Sequence, residues 1–166
     1  MTTNLLWQVL LVIQPFLGSS LVQALGGSFN ANSRTWYNNL IQSPLTPPPI
    51  VFPIVWTSLY LLIGVSALLI YNTASLSPAN FKIDFLWKYL APYEVQLVLN
   101  FFWSIAFFAL QMPKLSLAVV FAMIGLTAYL LWKSWHTNRT AFWLLLPYAI
   151  WITFAMYLNF YIVVKN

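Results

Sequence analysis

PPPIVFPIVWTSLYLLIGVSALLIY, residues 47–71, contains no charged side chain and is apolar almost throughout after its three prolines. A helix needs about 20 predominantly apolar residues to cross the hydrocarbon core of a bilayer. Proline suits the first turn of such a helix, because its missing N–H would lack a partner there in any case. The stretch therefore predicts a membrane-spanning helix over residues 49–71.

Four other apolar runs are long enough to span a bilayer, at residues 5–25, 85–110, 115–135 and 142–164. The chain is 61% hydrophobic and 5% charged, which leaves too little polar surface for a water-soluble domain. The runs do not alternate as barrel strands do. We predict an all-α, polytopic membrane protein, with residues 1–166 forming a single domain of five transmembrane helices.

Several kinds of chemistry are disfavoured by what the chain lacks. Zero cysteines exclude disulfides, thiolate catalysis and cysteine metal sites. Two acids and one histidine, His136, do not suffice for an ordinary metal site, and their spacing does not suggest a Ser-His-Asp triad. His136 has no second axial partner for haem, so we interpret it as an interfacial side chain. We predict no metal and no required cofactor.

The basic residues lie near the ends of the predicted helices, at Arg34, Lys82, Lys88, Lys114, Lys133, Arg139 and Lys165. Snorkelling toward anionic headgroups explains this placement, so the expected partner is the lipid bilayer and not nucleic acid. Glu94, about two turns into the third span, is either an interfacial side chain or a functional ionisable group. We favour the interface.

Aromatic and polar side chains recur at helical spacing on three predicted spans. They are Phe52, Trp56 and Tyr60 on the second, Gln96, Asn100, Trp103, Ser104 and Phe107 on the third, and Pro147, Trp151, Ala155, Leu158 and the adjacent Asn159 on the fifth. Polar side chains turn into the bundle, because an unpaired amide in hydrocarbon costs on the order of several kcal/mol. Tryptophan usually lies at headgroup level, so these buried tryptophans indicate a shared cavity.

The connection 26–48 begins with the pair Gly26-Gly27 and then carries Trp36, Tyr37, Pro44 and Pro47. Connections of this length without regular structure are usually lids, binding loops or disordered, and the aromatics argue against disorder. We therefore predict a lid over the cavity. Stacking rings with a few amides suit a flat, largely apolar ligand. The alternative is that the aromatics merely fill the core.

Small residues recur on the predicted fourth span at Ala118, Ala122 and Gly125. Such a stripe lets another helix approach closely. It predicts either packing within the bundle or the contact between two copies of the chain.

Five ordered motifs resemble the signature of the TspO/MBR family, the tryptophan-rich sensory proteins and peripheral benzodiazepine receptors. They are WYxxL (36–40), PxxPP (44–48), FxxVWTxLY (52–60), LNxxWxxxFF (99–108) and LPYxxWxxFAxxLN (146–159). The resemblance implies a five-helix protein that binds porphyrins such as protoporphyrin IX and haem, sterols and benzodiazepine-type drugs, commonly as a homodimer. It implies a pocket beneath the first loop to which Trp56, Asn100 and Trp151 contribute.

The expected function is thus a membrane binding protein, translocator or sensor, with a porphyrin as ligand. The expected ligand-binding residues are Trp36, Tyr37, Pro44, Pro47, Phe52, Trp56, Tyr60, Asn100, Trp103, Phe107, Pro147, Trp151, Ala155 and Leu158. The expected location is a bacterial envelope membrane or the mitochondrial outer membrane.

Two other functions remain open. The first is light-dependent porphyrin degradation, with Trp56 and Trp151 as redox partners, and the second is a membrane scaffold or regulatory subunit. A sterol-contact pattern at Leu158, Tyr161 and Lys165 is matched equally well at Leu126, Tyr129 and Lys133. That pattern is permissive, and an interfacial tyrosine beside a snorkelling lysine explains both copies.

Overall fold

A computed structural model describes residues 6, 8–15, 31–75 and 85–166, and every regular element within those ranges is helical. The helices are α1 (8–15), α2 (Ala31–Asn39), α3 (Val51–Ser75), α4 (Ala91–Ser104, flanked by π-helical turns Leu86–Leu90 and Ile105–Ala109), α5 (Pro113–Thr137) and α6 (Arg139–Lys165). The predicted all-α class is confirmed for these residues. Predictions for 16–25, 26–30 and 76–84 lie outside them.

Three helices among the described residues are long and apolar enough to cross a membrane, namely Val51–Thr73 of α3 together with the whole of α5 and α6. Their presence supports an integral membrane protein. The predicted span 85–110 is helical up to Ala109, but the π-helical turns divide it into three pieces.

The connection between α5 and α6 consists of one extended residue, Asn138. Its side-chain Oδ1 caps α6 by accepting the Ala141 N–H at 3.0 Å, and its Nδ2 donates to Thr73 Oγ1 at 2.9 Å. Because Asn138 alone separates them, α5 and α6 are both longer than the predicted spans 115–135 and 142–164. An apolar run ends where side chains reach polar surroundings, whereas backbone hydrogen bonding continues beyond that point.

The helices contact one another in a defined order. α3 packs against α6, α6 against α5, and α5 against α4. α1 contacts α3, where a Cβ on Gly64 would lie 2.9 Å from the Val12 carbonyl oxygen, and it contacts α4, where Gln14 donates to the Glu94 carboxylate. The order around the bundle is thus α1, α3, α6, α5, α4.

The core lies between these helices and is centred on Tyr148, Met123 and Ile152, each 1% exposed. Trp56, Trp103 and Trp151 pack against this core as partly buried side chains. The tryptophans predicted to lie at depth therefore belong to the rim of a single core.

The small-residue stripe of α5 points away from the bundle. Ala118, Ala122 and Gly125 are exposed, and among the residues that the structure describes no atom lies within 4 Å of the position that a Cβ on Gly125 would take. The interpretation that this stripe packs within the bundle is therefore wrong. Its neighbour Phe121 is also 57% exposed, so this face of α5 is apolar and uncovered.

Candidate functional site

Four buried polar side chains form a network between α3, α4 and α6. Tyr60 Oη donates to Asn100 Oδ1 at 3.1 Å, Asn100 Nδ2 donates to Tyr148 Oη at 3.4 Å, and Gln96 Nε2 donates to Tyr148 Oη at 2.6 Å. Each of the four is at most 5% exposed. The network joins the three faces that the sequence predicted to converge.

Tyr148 was not assigned to the site, although it lies in the motif LPYxxW. The signal that could have identified it is spacing, because Tyr148 precedes Trp151 by three residues and so lies on the same side of α6.

A first group of rings lies between α3 and α6, next to this network. Trp56 stacks on Tyr60 with ring centroids 5.5 Å apart, and it meets Trp151 edge-on at 6.4 Å. Phe52 meets Trp151 at 5.9 Å, and Tyr148 lies 6.4 Å from Trp56. Offset and edge-to-face contacts of this kind are the favoured geometries of aromatic pairs.

A second group of rings lies between α4 and α2. Trp103 stacks on Phe107 at 5.5 Å and 16°, while Trp36 and Tyr37 meet the edge of Phe107 at 5.6 and 6.0 Å. Ser33 Oγ donates to the Phe108 carbonyl at 3.0 Å and fixes α2 against the end of α4.

The two ring groups are separate in the described part of the chain. Trp56 contacts Trp151, as the convergence of α3 and α6 predicts, but Trp103 stacks on Phe107 instead of joining them. The hydrogen bond between Tyr60 and Asn100 connects the two sides. The sequence predicted one cavity shared by the three indoles. In the structure the side chains of each ring group contact one another and occupy that space.

The indole Nε1–H groups of Trp103 and Trp151 are buried and have no hydrogen-bond partner among the described residues. Leaving a buried donor unpaired costs about 1–3 kcal/mol. Each ring group thus contains one donor that an acceptor on a ligand would satisfy.

The connection predicted to be a lid contains the helix α2, which the apolar pattern of the sequence does not predict. Its sequence, ANSRTWYNN, lacks the apolar periodicity that marks helices, so tertiary contacts stabilise it. Beyond α2, Ser43 Oγ pairs with Tyr157 Oη at 3.1 Å. The Ile41 N–H donates to Asn166 Oδ1 at 2.9 Å, so the connection is fastened to α6.

The remaining predicted site residues are placed unequally. Pro44 and Pro147 are exposed, whereas Pro47 and Ala155 are partly buried. Leu158 is 8% exposed and belongs to the core. Within the sterol-contact pattern, Tyr161 is partly buried and Lys165 exposed, and sterol contact there stays a prediction.

Aromatic and basic side chains cluster at the end of the bundle where α5 meets α6, in the arrangement typical of a membrane–water interface. Lys133 Nζ lies 4.8 Å from the Trp132 ring centroid, and the Arg139 guanidinium lies 3.7 Å from that of Trp135. The exposed His136 places Nδ1 2.8 Å from the Trp132 carbonyl oxygen. Aromatic and basic residues gather in this way where a helix leaves the hydrocarbon.

Comparison with known proteins places the chain in a family. The TspO/MBR family pattern matches residues 4–165. The chain is 33% identical over 159 residues to "Tryptophan-rich protein TspO" of Archaeoglobus fulgidus, covering 95% of this chain and 98% of the relative. It is 36% identical over 144 residues to "Translocator protein homolog" of Schizosaccharomyces pombe, covering 85% of each.

A more distant relative is "Translocator protein" of Bos taurus, 28% identical over 152 residues, which cover 88% of this chain and 86% of the relative. The motifs around Trp56, Asn100 and Trp151, the helical architecture and the span of the family match agree with one another. The chain belongs to the TspO/MBR family.

Proposed function

We propose that this protein binds flat, hydrophobic, acceptor-bearing ligands, above all porphyrins such as protoporphyrin IX and haem, between α3, α4 and α6. The observation that carries the proposal is the pair of buried indole donors on Trp103 and Trp151, on either side of the Tyr60, Asn100 and Tyr148 network. A ligand with acceptors at its periphery satisfies both donors. A site for such a ligand needs aromatic side chains to stack on it and a few polar groups to orient it.

A flat ligand would enter by separating side chains that now contact one another. Trp56 and Trp151 meet edge-on, and an edge-to-face pair is worth only about 0.5–1.5 kcal/mol beyond its buried area. Stacking the ligand on these rings offsets that loss. The entry route under this proposal passes α2, since Trp36 and Tyr37 lie over Phe107.

The proposed biological role is transport, sensing or scavenging of such ligands in a membrane. Relatives bear the names translocator protein and tryptophan-rich sensory protein, which supports this role for the family. Sterols and benzodiazepine-type drugs are further proposed ligands, because they too are flat and largely apolar. The proposed location is a bacterial envelope membrane or the mitochondrial outer membrane, with five spans in the bundle.

Protoporphyrin IX titration tests the ligand site. Trp103→Phe and Trp151→Phe each keep an aromatic ring and remove the indole N–H, so each should weaken binding roughly five- to ten-fold, equivalent to about 1–1.4 kcal/mol. Trp143→Phe is the matched control, because Trp143 is 60% exposed. Affinity that stays the same in both site variants, with folding intact, contradicts the assignment.

A second candidate function is light-dependent porphyrin degradation. The observation that favours it is the contact of Trp56 with Tyr60, Tyr148 and Trp151, which gives an oxidisable ring several oxidisable neighbours within 6.4 Å. Illumination of the purified complex should then bleach bound porphyrin faster than free porphyrin in the same micelles. Trp56→Phe should slow the bleaching, and equal rates for bound and free porphyrin exclude the reaction.

A scaffold or regulatory subunit is the remaining alternative. Loss of a cellular phenotype upon surface substitution, with pocket variants unaffected, would favour it.

We also propose that two copies associate through the exposed stripe of α5. Ala118, Ala122 and Gly125 leave room for a second helix to approach, and no part of the chain within the described ranges covers Gly125. Gly125→Cys should form a disulfide-linked dimer in membranes, while Leu45→Cys, placed in the connection before α3, should not.

A further inference from the structure

A groove of about 400 Å³ lies at the end of the bundle where α4 turns into α5 and α6 ends. It is distinct from both ring groups, apart from sharing Trp36 at its edge. Its walls include Trp36 and Leu40 on the α2 side, Met112, Lys114 and Leu115 at the start of α5, and Val163 of α6.

The wall of the groove is mostly apolar, yet the groove lies at helix ends. Met112 is 48% exposed and Val164, next to Val163, is 61% exposed. Helix ends in a membrane protein lie at the level of the lipid headgroups. An apolar groove that begins at this level and continues along the bundle surface suits an amphiphile.

The one charged side chain among the residues that line the groove is basic. Lys114 is exposed within it, and Lys165 precedes Asn166, another of its lining residues. The chain has two acids, Asp84 and Glu94, and Glu94 lies roughly 25 Å from Gln111 along α4 at about 1.5 Å of rise per residue. No acid of α4 is therefore close enough to neutralise Lys114.

The start of α5 adds to this positive field. Met112 is the N-cap residue and makes no side-chain capping hydrogen bond, and α5 is 25 residues long. The first backbone N–H groups of a helix have no intrahelical partner and carry partial positive charge. Lys114 and Leu115 are in this first turn and line the groove, whereas Pro113 before them has no N–H to offer.

We propose that this groove binds an anionic phospholipid. The phosphate contacts Lys114 and the first turn of α5, and an acyl chain lies against Met112, Leu115 and Val163. Lipid binding itself does not depend on the porphyrin site, because the groove uses none of the residues of the polar network. Only the effect on ligand release, described next, rests on the proposed function.

A bound lipid also contacts α2, and this gives the site a regulatory consequence. Trp36 and Leu40 lie on α2, and Trp36 packs against Phe107 beside the stacked Trp103. A lipid that bridges α2 to α5 and α6 holds the lid in place. Anionic lipid should therefore slow the dissociation of a ligand bound beneath it.

Native mass spectrometry of the full chain, titrated with phosphatidylglycerol and with phosphatidylcholine, tests the proposal. Wild type should retain phosphatidylglycerol preferentially, and Lys114→Gln should weaken that binding roughly five-fold, as expected for one basic residue near an anionic headgroup. Phosphatidylcholine binding should not change. Lys133→Gln is the matched control, since Lys133 lies at the opposite end of α5.

Tryptophan fluorescence locates the lipid independently. Phosphatidylglycerol brominated on its acyl chain should quench wild type more strongly than it quenches Trp36→Phe, and brominated phosphatidylcholine should show no such difference. Equal retention of the two lipids by wild type, or unchanged phosphatidylglycerol binding in Lys114→Gln, overturns the proposal. Porphyrin affinity measured on the same samples separates this outcome from failure of the ligand site.

Discussion

The side-chain amide of Asn100 accepts a hydrogen bond from Tyr60 of α3 and donates one to Tyr148 of α6. Asn100 is 4% exposed, so water does not compete for these bonds. Within an apolar bundle an amide that lost either partner would pay a desolvation cost of about 1–3 kcal/mol. The two hydrogen bonds therefore fix the orientation of the Asn100 side chain. They also fix how far the ring group between α3 and α6 lies from the ring group on α4.

Tyr60→Phe should lower the free energy of unfolding by about 1 kcal/mol, because it removes the donor to Asn100 Oδ1 and preserves the ring that stacks on Trp56. Thermal unfolding in detergent measures the change. Tyr161→Phe is the matched control, since the Tyr161 hydroxyl makes no hydrogen bond with another described residue. Equal unfolding temperatures for the two variants would contradict this role of Tyr60.

The approach of α1 to α3 lies at a steric limit. A Cβ at Gly64 would lie 2.9 Å from the Val12 carbonyl oxygen and 3.0 Å from its Cα, both of them backbone atoms that can move only with the helix. Glycine at this position lets two backbones pack directly. The sequence did not reveal this contact, because Gly64 lies within an unbroken apolar run.

Gly64→Ala should therefore destabilise the protein by about 1–3 kcal/mol, because α1 must shift away from α3. Gly125→Ala is the control, measured in detergent at dilutions where the protein is monomeric, since none of the described residues lies within 4 Å of the added Cβ, and it should stabilise by about 0.5–1 kcal/mol through helix propensity. Chemical or thermal unfolding of both variants checks the signs. A Gly64→Ala protein as stable as wild type would show that α1 does not pack as described.

α5 and α6 are joined by a buried polar contact near the end that carries the groove. Asn159 Oδ1 accepts from Ser116 Oγ at 2.9 Å, and Asn159 Nδ2 donates to the Pro113 carbonyl at 3.0 Å. Asn159 is 2% exposed and Ser116 is fully buried. Asn159 thus serves the packing of α6 on α5 and is not part of the ligand site.

A double-mutant cycle measures this contact. Asn159→Ala should cost about 1–3 kcal/mol of unfolding free energy, and Ser116→Ala less, because Asn159 Nδ2 still donates to the Pro113 carbonyl when the Ser116 hydroxyl is removed. The double variant should be more stable than the sum of the two losses, with a coupling of about 0.5–3 kcal/mol. Additive losses would mean that the two side chains act independently.

For the whole molecule, the length of α6 leads us to expect its ends on opposite faces of a membrane. Its 27 residues extend about 40 Å at 1.5 Å of rise per residue, and a hydrocarbon core is about 30 Å thick. The chain has no native cysteine, so single introduced cysteines report their own accessibility.

An impermeant maleimide should label Thr140→Cys from one face of sealed vesicles, and Leu45→Cys and Lys165→Cys from the other. All three positions are exposed and lie near opposite ends of α6. Wild type, which cannot react, controls for background. Labelling of all three from a single face would exclude a spanning α6.

Much of the architecture follows from local patterns. The run 47–71 predicts α3, because an uncharged apolar stretch of that length has few alternatives to a spanning helix. Spacing predicts that Asn100 turns inward and that Trp56 and Trp151 share neighbouring faces, because a buried amide needs a partner and helical period fixes the direction of each side chain. The motifs around these residues also sufficed to identify the family.

Other features of the fold and of the site depended on which helix surfaces pack against one another. The sequence placed Trp103 beside the other indoles and Pro147 in the site, whereas α4 turns Trp103 toward Phe107 and α6 turns Pro147 outward. It did not predict α2, which contacts with Phe107 and Phe108 stabilise. Period along one helix decides how side chains are directed relative to each other, but the rotation of that helix against its neighbours is decided by packing between residues distant in sequence.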